Sequence, residues 1–223
     1  MSQAIEIVAT KDGSPTLRTA AGITYHSTHG AVQESMHVFI QTGLIAALEA
    51  FPEGLVTILE MGFGTGLNAL LTALESNRRH RAIRYVSVEK YPVPEVIWQQ
   101  LTYTQAAAGQ ALFEALHRAP WNEPVMITPQ VELLKVAGEL QIMTLPEAVQ
   151  LIYFDAFAPE DAPELWTPLL FRKLIDGMVP GGILTTYCSK GVVRRALQEV
   201  GFLVEKLPGP PGKREIVRAR KPE

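Results

Sequence analysis

Residues 56–68 read VTILEMGFGTGLN, and this stretch decides the fold. An apolar, β-branched run leads into glycines at alternate positions, Gly62, Gly64 and Gly66, and apolar residues at helical spacing follow. This order predicts a buried strand, a glycine-rich turn and a helix. Glycine allows positive φ and lets a ligand lie against bare backbone, while the helix start offers unpaired N–H groups. The stretch therefore predicts a nucleotide-type ligand at the end of this strand.

A second short strand, residues 85–89, ends in a carboxylate. Glu89 follows the last glycine at roughly the 20-residue spacing of a ribose-binding acid in a nucleotide-binding βαβ unit. A carboxylate there can accept hydrogen bonds from both ribose hydroxyls. The alternative is that Glu89 only caps the next helix.

The glycine spacing separates two candidate cofactors. NAD enzymes typically show G-x-G-x-x-G, whereas here every second residue is glycine and the acid Glu60 precedes the first of them. That acid would repel a pyrophosphate but would suit a cation. S-adenosylmethionine carries a sulfonium and an ammonium and no phosphate, so we prefer it to NAD. The cofactor residues predicted from this turn are Glu60, Gly62, Phe63, Gly64, Thr65, Gly66 and Asn68.

Composition favours a globular protein. The chain has 223 residues, is 47% hydrophobic and 19% charged, and suits one α/β domain, with 1–50 as an extension and 51–223 as the catalytic core. We see no apolar run of about 20 residues, signal peptide or zinc-type Cys/His spacing. The single cysteine, Cys188, fits a reducing cytosol and predicts a cytoplasmic protein. A net charge of −3 argues against tight nonspecific nucleic-acid binding but allows a local basic face.

The N-terminal extension has two notable parts. Residues 5–8 and 22–25 are predicted strands that flank a turn at 12–15 and form a β-hairpin. Residues 25–40, YHSTHGAVQESMHVFI, contain three histidines and Glu34, and a metal site is one interpretation of this pattern. Because no cysteine or second carboxylate is nearby, we favour a capping and packing segment with solvated histidines that could cover the cofactor.

Residues 151–159, LIYFDAFAP, give the second strong pattern. The nearly continuous apolar run predicts a central parallel strand buried on both faces. Asp155 ends it, and ligands in open α/β sheets bind at the carboxyl ends of strands. We therefore place Asp155 beside the cofactor, the alternative being a helix N-cap. Glu139, after a strand at 131–136, is a candidate for the adenine amino group or an exposed turn residue.

The remaining pattern predicts a helix starting at 163, a turn at 180–182, a strand at 183–188, a helix at 192–200 and two final strands. Such an end forms an antiparallel hairpin beside an otherwise parallel sheet. The predicted fold is a Rossmann-like α/β sheet of seven strands with an added N-terminal hairpin.

Four strings together resemble a known family, the bacterial tRNA (5-methylaminomethyl-2-thiouridine) methyltransferases. They are GAVQESMHVF at 30–39, EMGFGTGLN at 60–68, DAFAP at 155–159 with LWT at 165–167, and GPPGKRE at 209–215. In many bacteria this domain is fused to an FAD-dependent oxidase. The resemblance spans nearly the whole chain, so the stand-alone form is expected. Where family members often have Gly-Asp after the third strand, this chain has Gly138-Glu139.

The resemblance implies a class I fold and methyl transfer from S-adenosylmethionine to the aminomethyl nitrogen of a modified wobble uridine. The implied partner is a tRNA anticodon stem-loop, with no metal and no membrane. It also places Glu34 near the active site. The residues assigned to substrate binding are Glu34, Phe157, Pro159, Lys190, Lys213 and Arg214.

The chemistry gives Asp155 a role. An alkylamine has a pKa of about 10 and is mostly protonated at neutral pH, and an ammonium has no lone pair for attack. We expect Asp155 to take or direct that proton. Rival hypotheses are an NAD-dependent oxidoreductase, a non-catalytic nucleotide-sensing or tRNA-binding module, and an N-methyltransferase acting on a small molecule or protein.

Overall fold

The N-terminal hairpin pairs β1 (Ile5–Ala9) with β2 (Pro15–Thr19). The computed structural model describes residues 5–223, so the first four residues of the predicted extension lie outside the described range. The predicted partner strand at 22–25 was wrong, because a tight turn returns the chain earlier. In that turn Asp12 Oδ1 accepts from the Ser14 N–H at 2.9 Å and from the Thr10 hydroxyl at 2.7 Å. Residues 23–25 lie along β2 instead, where Tyr25 N donates to Leu17 O.

One continuous helical segment follows the hairpin. It begins as α1 (Ala31–Ser35), widens into a π-helix (Met36–Ile45) and ends as α2 (Ala46–Ala50). Gly43 lets it approach the sheet, since a Cβ there would lie 3.1 Å from both Tyr153 and Thr185. This close packing fixes the N-terminal extension onto the sheet that carries the site.

The remaining elements alternate strand and helix. In chain order they are β3 (Val56–Met61), α3 (Leu67–Arg79), β4 (Ile83–Glu89), α4 (Glu95–Trp98), α5 (Ala107–Arg118), β5 (Pro124–Thr128), β6 (Val131–Ala137), β7 (Val149–Phe154), a 3-10 turn (Pro163–Leu165), α6 (Pro168–Gly177), β8 (Met178–Thr186), α7 (Gly191–Glu199), β9 (Leu203–Pro208) and β10 (Glu215–Arg220).

Within residues 5–223 the main sheet has eight strands in the order β5-β6-β4-β3-β7-β8-β10-β9. Strands β6, β4, β3, β7 and β8 are mutually parallel, and β10 runs antiparallel to both β8 and β9. The predicted mostly parallel α/β fold with a C-terminal hairpin is confirmed. The sheet has one strand more than the seven predicted, and the additional strand is β5, an antiparallel edge strand beside β6.

Helices cover both faces of the sheet, as the apolar strands require. Consecutive residues of β3 show this, because Ile58 and Leu59 are both fully buried but belong to different apolar layers. The Ile58 layer includes the N-terminal helical segment, α3 and α5, and the Leu59 layer includes α6 and α7.

Two predicted boundaries shifted. The helix predicted from residue 163 starts at Pro168, since Thr167 is its N-cap and accepts a hydrogen bond from Leu170 N at 3.3 Å. The turn predicted at 180–182 lies inside β8, where Gly181 adopts a φ of 74°. None of the helices in residues 5–223 combines the length and apolar character needed to span a bilayer.

The strand order reverses between β3 and β7, which places a crevice at their carboxyl ends. The loops after β3, β4, β6, β7 and β8 all emerge at this edge because those strands are parallel. The fold therefore brings the glycine turn and the predicted strand-end acids to one place.

Candidate active site

A cavity of about 530 Å³ opens at this edge of the sheet. One wall comes from the loops after the parallel strands, and the other comes from residues 23–27, Glu34 and Lys213. The sequence-predicted residues that line it are Glu34, Gly62, Phe63, Gly64, Thr65, Asn68, Glu89, Glu139, Asp155, Phe157 and Lys213.

The glycine turn has the backbone that its sequence predicts. Gly62, Gly64 and Gly66 adopt φ values of 88°, 51° and 74°, which side-chain-bearing residues rarely accept. A Cβ at Gly62 would lie 3.3 Å from the Asp155 carbonyl, and one at Gly64 would lie 3.3 Å from the Tyr25 ring. Bare backbone is thus required on the cavity side of the turn.

Glu89 is tied to this turn. One of its carboxylate oxygens accepts from Gly64 N at 3.1 Å and the other from Tyr91 N at 2.7 Å. Each carboxylate oxygen has further lone pairs, so Glu89 can still accept hydrogen bonds from a ligand. Its position in the cavity wall agrees with the predicted ribose contact, which stays a prediction.

Glu139 also reaches the cavity, at the end of the neighbouring strand β6. Its carboxylate forms an exposed ion pair with Lys90 at 3.1 Å. Both side chains are more than 40% exposed to solvent, so the ion pair holds Glu139 only weakly. The predicted adenine contact stays a prediction.

Asp155 and Asn68 form a hydrogen-bonded pair on the strand-end wall of the cavity. Asn68 Nδ2 donates to Asp155 Oδ2 at 2.9 Å. Burial, with a further contribution from the negative charge of Glu34, raises the pKa of Asp155 to about 7, although the Asn68 hydrogen bond and Lys213 oppose the shift. A carboxyl group with this pKa can take a proton near neutral pH. Among the described residues, the buried Asn68 Oδ1 has no hydrogen-bond partner.

The N-terminal segment covers the glycine turn. The Tyr25 ring packs edge-on against Phe157, with centroids 5.3 Å apart, and so joins the segment to the loop after β7. Burial, with a further contribution from the charge of Glu89, raises the Tyr25 pKa to about 12, so the hydroxyl stays protonated. The prediction that this segment covers the site agrees with the geometry.

The histidines of this segment are not simply solvated, contrary to the sequence interpretation. His26 lines the cavity, its Nδ1 lies 2.9 Å from the Thr16 hydroxyl, and burial lowers its pKa to about 4. His37 Nε2 donates to Pro208 O at 2.8 Å. His29 is exposed and packs beside Gly212. In residues 5–223 no three His, Cys, Asp or Glu side chains are grouped as metal ligands.

Glu34 meets Lys213 on the same wall. Glu34 Oε2 accepts from Ser27 N at 2.7 Å, and Lys213 Nζ lies 2.6 Å from Oε1 as an ion pair without hydrogen-bond alignment. The ammonium also lies 3.9 Å from the centre of the Tyr187 ring. Tyr187 is anchored because its hydroxyl donates to Ala156 O at 2.8 Å. Sequence analysis missed Tyr187, although an aromatic residue at the end of a predicted parallel strand was an available signal.

Glu60 does not reach the cavity, which corrects its predicted role. Its side chain is 1% exposed and accepts a hydrogen bond from Ser87 Oγ at 2.7 Å. Burial raises its pKa to about 8, so it is mostly protonated at neutral pH and cannot attract a cation as a carboxylate would. The next residue, Met61, lines the cavity instead, because adjacent strand residues point to opposite sides.

Other predicted residues also lie outside the cavity lining. Gly66 packs inward, since a Cβ there would be 2.8 Å from His117 Nε2. Lys190 is exposed and pairs with Glu160. The remaining ones are Pro159, half-buried, and Arg214, exposed.

A buried cation supports the glycine turn from below and was also missed. Lys135 is 1% exposed and donates to His117 O at 2.6 Å, while its ammonium lies 5.2 Å from the centre of the Phe63 ring. Burial lowers its pKa to about 8. His117 Nε2 lies 3.0 Å from Thr65 O and so holds the turn directly. A lysine among the apolar residues Leu133, Leu134 and Val136 of a predicted strand was the sequence signal.

Comparison with known proteins identifies a methyltransferase family. Residues 102–222 match the model of a family described as S-adenosyl-L-methionine-dependent methyltransferase. The bifunctional proteins of tRNA 5-methylaminomethyl-2-thiouridine biosynthesis, MnmC, from Pseudomonas aeruginosa and Ralstonia nicotianae are 33% and 35% identical over 93% and 89% of this chain. The chain spans about one third of their length, 33% and 32%.

Solved structures agree with the fold. MnmC2 from Aquifex aeolicus superposes with a TM-score of 0.80 at 26% identity, covering 100% of this chain and 73% of that one. Spermidine synthase from Thermotoga maritima superposes with a TM-score of 0.60 at 13% identity, covering 98% and 69%, which indicates a shared fold alone.

The cavity fits the cofactor of that family. The unpartnered Asn68 Oδ1 is an acceptor suited to an ammonium group. Gly62 and Gly64 leave backbone open where a side chain would intrude, and Glu89 keeps free lone pairs for hydroxyl donors. S-adenosyl-L-methionine carries an ammonium and ribose hydroxyls, so these residues can hold it.

Proposed function

Since this chain belongs to the S-adenosyl-L-methionine-dependent methyltransferases, we propose that it methylates the aminomethyl nitrogen of a modified wobble uridine in tRNA. The product would be 5-methylaminomethyluridine or its 2-thio form. Relatives named for tRNA 5-methylaminomethyl-2-thiouridine biosynthesis support this acceptor. The observation that carries the proposal is Asp155, a carboxyl group with a pKa of about 7 in the cavity wall beside the glycine turn.

The proton of the acceptor determines what Asp155 must do. An aminomethyl group arrives mostly as an ammonium and must lose a proton before it can attack. The Asp155 carboxylate accepts this proton, and the Asn68 amide holds the carboxyl group in place. When bound, S-adenosyl-L-methionine supplies a methyl group on a sulfonium, and transfer to nitrogen leaves a neutral thioether.

Each end of the cofactor has candidate contacts. Asn68 and the glycine turn would hold the methionine part, Glu89 the ribose and Glu139 the adenine amino group. These residues lie on one wall of the cavity, and the Tyr25 and Phe157 rings pack edge-on beside them. Once the amine is neutral, methyl transfer depends mainly on aligning its nitrogen with the methyl–sulfur bond of the cofactor. Further acid–base groups are less important.

The acceptor side combines an aromatic ring with positive charge. Phe157 is 37% exposed at the cavity and offers a face for a flipped base. Lys190 and Arg214 are exposed outside it and suit phosphates of the anticodon stem-loop. The site needs no metal ion for this chemistry, and we place the activity in the cytoplasm, where tRNA is modified.

The test is methyl transfer by the purified protein. Synthetic anticodon stem-loops with a 5-aminomethyluridine at the wobble position are incubated with labelled S-adenosyl-L-methionine, and the nucleosides are identified by mass spectrometry. We expect methylation of the aminomethyl nitrogen and none of a matched stem-loop with unmodified uridine. Absence of transfer to the aminomethyl stem-loop, with cofactor bound, would refute the proposed acceptor.

A further inference from the structure

An alkylammonium of the chain itself already lies in the cavity wall. Lys213 Nζ is 2.6 Å from Glu34 Oε1 and 3.9 Å from the centre of the Tyr187 ring. A carboxylate and an aromatic face are the two kinds of group that stabilise an organic cation. Both line the same cavity as Asp155, the proton acceptor of the proposed reaction.

Glu34 is built to hold a cation at this point. Its side chain is 8% exposed, and burial of a carboxylate is costly without a partner. Ser27 N satisfies Oε2, but Oε1 receives no aligned hydrogen bond from the described residues and has only the Lys213 ion pair. The oxygen that faces Lys213 is therefore free to take another cation in the same place.

The Lys213 side chain can leave without rearranging its loop. The backbone of the loop is held by hydrogen bonds from Gly209 N to Arg214 O at 3.1 Å and from Lys213 N to Pro210 O at 2.9 Å. The side chain of Lys213 is 26% exposed and reaches the site through a flexible stem. Rotation of that stem opens the position beside Glu34 and leaves the backbone as it is.

We propose that Glu34 and the face of Tyr187 form the subsite for the acceptor's alkylamine nitrogen, and that Lys213 occupies this subsite until the acceptor displaces it. The identity of the acceptor rests on the proposed function. The nitrogen gains positive charge as it acquires the methyl group, so a carboxylate and a ring face favour the transition state over the neutral amine. The displaced ammonium is then available, beside Arg214, for the phosphates of the acceptor.

The test uses methylammonium chloride as the probe. It is titrated into protein saturated with S-adenosylhomocysteine, with potassium chloride at equal ionic strength as the reference, and binding is followed by NMR. We expect Lys213→Met to bind methylammonium about tenfold more tightly than the wild type, because removing the internal competitor frees the subsite. The matched control is Lys11→Met, which removes an exposed lysine outside the cavity lining and should leave the affinity for methylammonium unchanged.

Substitutions added to Lys213→Met show where methylammonium binds. In the Lys213→Met background, Glu34→Gln and Tyr187→Leu should each abolish most of the gain. Lys213→Gln repeats the test with a polar side chain, and thermal melting confirms that each variant is folded. Unchanged methylammonium affinity in both folded Lys213 variants would overturn the proposal.

The experiments distinguish a failure of the Glu34–Tyr187 subsite from a failure of the proposed tRNA acceptor. A wild type that methylates the aminomethyl stem-loop while Lys213→Met and Lys213→Gln show no gain refutes the subsite alone. A gain that depends on Glu34, in a protein that does not methylate that stem-loop, supports an alkylammonium subsite and refutes the tRNA acceptor.

Discussion

The two walls of the cavity are built in different ways. The wall that carries Asn68, Glu89 and Asp155 comes from loops that directly follow parallel strands. The opposite wall joins residues 23–34 to Lys213, which are far apart in the chain and meet through one ion pair and their packing.

This difference separates two tasks. The strand-end wall uses the arrangement that α/β sheets offer to nucleotides in general. The opposite wall adds Tyr25, Glu34 and Lys213, which meet Phe157 and Tyr187 at the ends of β7 and β8. The residues predicted to hold the cofactor therefore come mainly from the sheet, whereas the proposed acceptor pocket combines strand-end residues with the extension and the β9–β10 loop.

The largest effect is expected on the strand-end wall, at Asp155. Asp155→Asn should lower kcat by about a thousandfold, since the amine loses its proton acceptor. Affinity for S-adenosyl-L-methionine, measured by calorimetry, should stay within about threefold, because the amide can still pair with Asn68. Asp161→Asn is the control, an exposed acid of the same cavity. Methylation within about tenfold of the wild type would remove Asp155 from the chemistry.

The pH dependence should show the same group. Since only the carboxylate accepts a proton and burial raises the Asp155 pKa to about 7, kcat/KM should fall about tenfold per pH unit below that value. Above it the rate should level off. Methylation assays of the wild type and Asp155→Asn at pH values on both sides of about 7 measure this dependence of kcat/KM. If kcat/KM of Asp155→Asn fell in the same way below about pH 7, another group would be responsible for the pH dependence.

A smaller effect is expected where the extension covers the glycine turn. Tyr25→Ala removes the ring that packs on Phe157 and Gly64, so cofactor binding should weaken about tenfold while kcat changes less. Tyr25→Phe keeps the ring and should bind within about threefold of the wild type. Calorimetric titration distinguishes the variants. Equal affinities for Ala and Phe would show that the extension does not contribute to cofactor binding.

The smallest effect on catalysis is expected at Glu60, which the fold excludes from the cavity. Glu60→Gln should methylate within about threefold of the wild type. Its stability should differ, because a carboxyl whose folded pKa is raised to about 8 destabilises the fold increasingly as pH rises from its unfolded value of 4.5 through about 8.

The gain in Tm of Glu60→Gln over the wild type should therefore grow by about 10 °C between about pH 5 and about pH 9. Calorimetric melting measures it, with exposed Glu53→Gln as the control. A constant difference in Tm would show that Glu60 is ionised in the fold.

The sequence by itself determined the strand-end wall. Glycine spacing, apolar strands and the acids Glu89 and Asp155 are local features, and parallel strands bring their ends to one edge whatever the loops do. For the N-terminal segment the local features only allowed a cover over the cofactor, and the family resemblance placed Glu34 near the active site. Reasoning from local features was wrong about Glu60, because a single residue step along a strand changes which side a side chain faces.

Only the tertiary structure decided the rest. No spacing predicts that Glu34 meets Lys213, that Tyr187 lies under the ammonium, or that Lys135 supports the turn, since these contacts join segments distant in sequence. The pKa values of Asp155 and Glu60 likewise depend on how completely folding removes each carboxyl from water. Motifs gave the candidates for the chemistry, and packing selected which of them face the cavity.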